Sequence, residues 1–185
     1  MNLGCRLLAM AIAAMPVAAV CAPAQVFFGS LSGSQESPPN ASPGTGFAVV
    51  TYDPDTYMMR VQVTFSNLAA TSGNGTTASH IHCCFILPVL NASVATTTPS
   101  FAGFPTGVRA GTYDNTLDMT LASSYNASFV TAQGSIAAAR SAILAGMANG
   151  TAYFNIHSVV NPGGEIRSNL QPDAVFANGF ELTAG

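Results

Sequence analysis

His80, His82 and His157 are the three histidines of the chain, and each sits in a short strand-like segment. The first two lie in Ala78-Ser79-His80-Ile81-His82-Cys83-Cys84, and the third closes Ala152-Tyr153-Phe154-Asn155-Ile156-His157. On a strand, residues i and i+2 point to one face, so His80 and His82 project side by side. A third imidazole from a neighbouring strand would complete a three-nitrogen set of the kind that holds zinc or copper. Ile81 alternates with the first pair, and Phe154 and Ile156 alternate with Tyr153, Asn155 and His157. If those apolar residues face the core, the histidines face outward or line a surface groove. An exposed three-histidine site with an open position suits copper or zinc. The competing reading is structural, with strand histidines satisfied by hydrogen bonds.

Cys84 shares the parity of His80 and His82 and is a possible fourth metal ligand, whereas Cys83 points the other way. Exported thiols are usually oxidised, and adjacent cysteines cannot staple distant segments. The favoured reading of the pair, over Cys84 as a ligand, is a vicinal disulfide, Cys83–Cys84, or two inert small residues. Charged residues are few, which draws attention to Glu36, Glu165 and Arg167. Glu165 and Arg167 stand at i and i+2. Either Glu165 accepts a hydrogen bond that orients a ligand histidine, or Arg167 forms an ion pair with Glu36 or Glu165. The ion pair would tie the first loop to the last strand and is the simpler reading. No Ser-His-Asp order, glycine-rich phosphate loop or close carboxylate pair accompanies these residues. Asp53 and Asp55 flank Pro54 and read as turn formers, and Phe101 and Phe104 read as packing residues.

The compartment is read from the N-terminus. Arg6 precedes an apolar run from Leu7 to Val20, and Ala22-Pro23-Ala24 follows. This is the pattern of a secretory signal peptide, residues 1–24, and it implies a secreted, periplasmic or cell-surface protein. A lipoprotein reading would use Cys21, but Val20 fits poorly the small residue expected before it. No other segment is apolar and long enough for a transmembrane helix. Without Arg6, four arginines face eight acids, and the chain has no lysine. With no basic patch, binding to nucleic acid or to anionic membrane surfaces is not expected.

The remaining chain has the size of one domain with a real core, residues 25–172, followed by a tail, residues 173–185. Short alternating segments predict strands over 26–32, 47–52, 57–65, 117–121, 151–158 and 165–171, with the His-Ile-His segment as a further strand. Asp53-Pro54-Asp55-Thr56 and Asn161-Pro162-Gly163-Gly164 are turn signals. Residues 84–111 read as irregular, and a helical turn is expected within 123–131. One alanine-rich helix is expected over about 135–147, with Ser135 as its N-cap and Asn149-Gly150 as its stop. The fold class is all-β: an antiparallel sandwich or barrel of immunoglobulin-like or superoxide-dismutase-like type with one short helix.

Three segments resemble the CHRD domain, named after chordin. Leu31-Ser32-Gly33-Ser34-Gln35-Glu36-Ser37-Pro38-Pro39 is similar to the family's opening. Ala78-Ser79-His80-Ile81-His82 is similar to its A-H-I-H segment. Asn155-Ile156-His157 with Pro162-Gly163-Gly164-Glu165-Ile166-Arg167 is similar to its ending. The likeness runs from about Val26 to Pro172. The His-Cys-Cys variant resembles a secreted bacterial subgroup, and Ser168 departs from the family's usual glycine. The resemblance implies a secreted all-β domain and carries no catalytic activity. The expected function is an extracytoplasmic module that binds copper or zinc, or an unknown protein or surface partner. The alternatives are a copper-dependent redox enzyme of superoxide-dismutase-like type and a purely structural or adhesive domain.

Overall fold

The computed structural model describes residues 22–69, 75–87 and 89–172. The run expected to act as a signal peptide, before residue 22, and the tail beyond Pro172 lie outside the described residues.

Eight antiparallel strands form one curled sheet: β1 (Gln25–Ser32), β2 (Thr45–Tyr52), β3 (Met58–Ser66), β4 (Thr76–His82), β5 (Gly111–Asp118), β6 (Tyr153–Ser158), β7 (Ile166–Asn169) and β8 (Gln171–Pro172). Two helices follow β5: α1 (Ala127–Gln133) and α2 (Ile136–Ala148). The sheet runs β4-β6-β7-β1-β2-β3-β5, and β8 pairs with β1. Period-two alternation makes one face apolar. In β3, Met59, Val61, Val63 and Phe65 are buried between exposed Met58, Arg60 and Thr64. Ala48 and Val50 of β2 and Phe27 and Leu31 of β1 join the same core.

The core is closed from the other side by Phe101 and Phe104, by Phe129 of α1, and by Ala139, Ile143 and Met147 of α2. Phe101 and Phe104 therefore pack, as their sequence context suggests, against Phe154 and Phe65 respectively. The two edge strands approach each other through the segment before β5. Thr76 N–H donates to the Val108 carbonyl, and Gly107 N–H donates to the Thr76 carbonyl. Gly75 allows this approach, since a Cβ there would collide with the Val108 backbone.

The all-β expectation holds, with two helices in place of one. Ser135 caps α2 by accepting from Ala138 N–H. The turn expected within 123–131 is a full helix, α1, capped by Asn126 and ended by Gly134 in the left-handed region. The strand expected at 117–121 instead spans 111–118. Among the described residues it pairs only with β3, and the half-buried Asn115 takes an inward position, so its alternation was weak. Ser168 is accommodated because it packs on Gly29, where a Cβ would come to 3.0 Å of its own Cβ.

Candidate metal centre

β4 and β6 pair antiparallel, with Ala78 opposite His157, His80 opposite Asn155 and His82 opposite Tyr153. Directly opposed residues share a face. Ile81, Phe154 and Ile156 are fully buried on the core side, which leaves all three histidines on the other side. Their ring centroids are 5.8 Å apart for His80–His82, 5.3 Å for His80–His157 and 5.9 Å for His82–His157. One ring nitrogen from each lies within 4.8 Å of the others, and the cluster could hold a metal ion.

The expectation of an exposed site is corrected. His80 and His82 are only 6% and 8% exposed. The segment that read as irregular folds back over them. It runs beside the end of β4 through a bridge from His82 to Val94 and through Ala95 N–H donating to the Ile81 carbonyl. Tyr153 stacks on the His82 ring at 4.6 Å and 8°. The Arg167 guanidinium lies over the opposite side of this stack, 4.2 Å from the Tyr153 centroid.

This cover also fixes each imidazole. His80 Nε2 is 2.8 Å from the Pro99 carbonyl, His82 Nδ1 is 2.9 Å from that of Ala92, and His157 Nδ1 is 3.0 Å from that of Pro162. A carbonyl can only accept, so each of these nitrogens carries the proton. The opposite nitrogens are His80 Nδ1, His82 Nε2 and His157 Nε2. All three are buried and have no hydrogen-bond partner. Burial holds the three rings below the ordinary histidine range, His82 down to about 4. At neutral pH the site therefore presents three buried lone pairs, none of which accepts a hydrogen bond. Metal-ligating histidines are typically arranged in this way, with the non-ligating N–H held by an outer acceptor.

The other candidate residues are placed as follows. Cys84 does not join the cluster. β4 ends at His82, so strand parity no longer applies beyond it. The Cys84 and Cys83 sulfurs touch each other, and both lie 3.4 Å from the Ala142 carbonyl of α2. The expected ion pair of Arg167 is absent, because the salt bridge among the described residues is Arg60–Asp114. Arg167 instead donates to Asn91 Oδ1 at 2.8 Å and to the Leu90 carbonyl at 3.0 Å, holding the covering loop down. Glu165 does not reach a ligand histidine either. β7 starts at Ile166, after the turn, so Glu165 escapes the parity of Arg167. Its Oε1 accepts from Ser42 Oγ and Ala69 N–H. It thus ties the first loop to the last strand, the role expected of the ion pair, through neutral donors. Glu36 accepts from Asn155 Nδ2 at 3.1 and 3.3 Å, and burial pushes its carboxyl up to about 7 against the nearby charge of Arg167.

Tyr153 and Asn155 were missed as site residues, although their parity with His157 was legible. The carbonyls of Ala92, Pro99 and Pro162 carry no signal in residue type.

No curated protein and no solved structure matches the chain. A family model, the CHRD domain, matches residues 27–170 and so includes β2 to β7, most of β1, both helices and all three histidines. The chain belongs to the CHRD domain family.

Proposed function

We propose that this domain is an extracytoplasmic module that holds one copper or zinc ion through His80 Nδ1, His82 Nε2 and His157 Nε2. The observation that carries the reading is the convergence of three buried lone pairs whose partner nitrogens are all tied to backbone carbonyls. A purely structural role would leave three buried acceptors without donors, an arrangement native proteins avoid. A cation supplies what they lack. The nitrogens lie within 4.8 Å of one another, and ligand bonds near ~2.1 Å require them to draw closer. Three imidazoles with no thiolate or carboxylate suit zinc and copper alike.

The rest of the reading follows from the sequence. Residues 1–24 act as the signal peptide, residues 25–172 form the secreted domain, and Cys83–Cys84 form a vicinal disulfide in the oxidising compartment beyond the membrane. The test is metal analysis of the exported protein with calorimetric titration of zinc and copper. One ion per chain is expected, falling to none in His82→Ala and in His157→Ala. Unchanged stoichiometry in both variants overturns the site.

A further inference from the structure

Six buried side-chain polar atoms among the described residues have no hydrogen-bond partner. Three are the ligand nitrogens described above. Two of the others, Asn155 Oδ1 and Arg167 Nε, belong to the same face. Asn155 is registered directly opposite His80 on β4 and directly opposite Arg167 on β7. It is the residue that joins the histidines to the arginine.

Both side chains are held in place. The Glu36 carboxylate binds Asn155 Nδ2 through both oxygens. Turning the amide round would set Oδ1 against that carboxylate, so Oδ1 faces away from Glu36. The two terminal nitrogens of Arg167 are engaged by Asn91 and Leu90, and its plane rests on Tyr153. Its Nε, on the strand side of the guanidinium, remains free. The result is a fixed acceptor and a fixed donor at neighbouring positions beside three nitrogen lone pairs. Water and hydroxide can donate to the first, accept from the second and still offer a lone pair to a metal ion.

We propose that the open coordination position is filled by water or hydroxide, clasped by Asn155 Oδ1 as acceptor and Arg167 Nε as donor. Glu36 acts as the positioning residue that orients Asn155. This rests on the three-histidine metal reading. It accounts for five of the six unpartnered atoms with one ion and one oxygen ligand. The two contacts act in opposite directions on the ionisation of the bound water. The Arg167 donor favours hydroxide, because a charge-assisted hydrogen bond to an anion is the stronger one. The Asn155 acceptor favours water, which is a better donor than hydroxide.

The test uses the full chain, purified after export and loaded with Co(II), whose visible absorption reports its coordination. The spectrum is followed against pH in wild type, Arg167→Lys, Asn155→Ala and Asn91→Ala. Wild type is expected to show one spectral transition as the bound water ionises. Arg167→Lys moves its midpoint up by about one unit, the loss of one charge-assisted hydrogen bond. Asn155→Ala moves it down by about half a unit. Asn91→Ala removes one of the two acceptors that fix Arg167 without touching the ligand, and its midpoint moves up by less than that of Arg167→Lys. Circular dichroism confirms that the variants fold. No transition in wild type, or midpoints for Arg167→Lys and Asn155→Ala equal to wild type, overturns the clasp and leaves the three-histidine site standing. Such a result assigns the two orphaned atoms to a water remote from the metal. Failure of wild type to bind Co(II) removes the metal reading itself.

Discussion

Acidification of the metal-free protein sets two buried groups against each other. His82 has its folded pKa depressed to about 4 from 6.5. Its neutral form is favoured by the fold, so this stability is complete above 6.5 and is lost as pH falls from there towards 4. At pH 5 the loss is about 2 kcal/mol relative to pH 7.5, since one unit is worth about 1.4 kcal/mol. His80 and His157 shift in the same direction and add to it. Glu36 runs the other way. Its folded pKa is raised to about 7 from 4.5, so the fold binds its proton more tightly, and stability is gained as pH falls through 7. By pH 5 that gain is also about 2 kcal/mol. The Glu36 gain therefore offsets the His82 loss, and the wild-type profile between pH 7.5 and 5 falls only by what His80 and His157 add.

Glu36→Gln keeps an amide oxygen for Asn155 Nδ2 and removes the compensating carboxyl. Its melting temperature should fall by about 4–8 °C over that range, taking about 2–4 °C per kcal/mol for a domain of this size. Thermal unfolding of chelator-treated wild type and Glu36→Gln at both pH values is the assay. A flat Glu36→Gln profile refutes depressed histidines. A wild-type profile as steep as that of the variant refutes the raised carboxyl.

Metal should stabilise the fold. At a free zinc or copper concentration 100 times Kd the gain is about 2.7 kcal/mol, or about 5–11 °C, and it should vanish in His157→Ala. His82→Ala should also destabilise the metal-free domain by about 2–3 kcal/mol in denaturant titration, because it empties a buried position and removes the Tyr153 stack. Gly75→Ala should cost about 2–3 kcal/mol, because its new Cβ meets the Val108 backbone where the edge strands join; a melting temperature equal to wild type would show that this junction yields. Mass spectrometry of the exported protein should give an N-terminus at Gln25, and an intact Met1 in the exported pool would refute cleavage after Ala24.

Periodicity settled much of this molecule. Alternation in β3 and in the Tyr153–His157 segment assigned faces correctly, because a strand's side chains can only alternate. The same rule placed His80 beside His82, and β4–β6 pairing then brought His157 to both. Ser135 and Asn149-Gly150 marked the ends of α2 because capping is local chemistry. These are all properties of a few neighbouring residues, and a chain displays them without its fold.

What lay beyond the sequence depends on segments far apart in the chain. The burial of the histidines comes from residues 89–99, whose loop-like composition gives no sign that they cover β4. The tautomers are set by carbonyls of Ala92, Pro99 and Pro162, and every residue type has a carbonyl. Arg167 and Glu36 were singled out as partners in an ion pair that the described residues do not form. Sparse charge suggested an ion pair, but packing put Tyr153 and Asn91 against the guanidinium and Asn155 against the carboxylate. Glu165 and Cys84 share one feature: Glu165 stands just before β7 and Cys84 two residues after β4, where alternation stops being a constraint. Local patterns thus named the three clustered histidines, and tertiary packing chose which of their nitrogens face one another and how deeply they are buried.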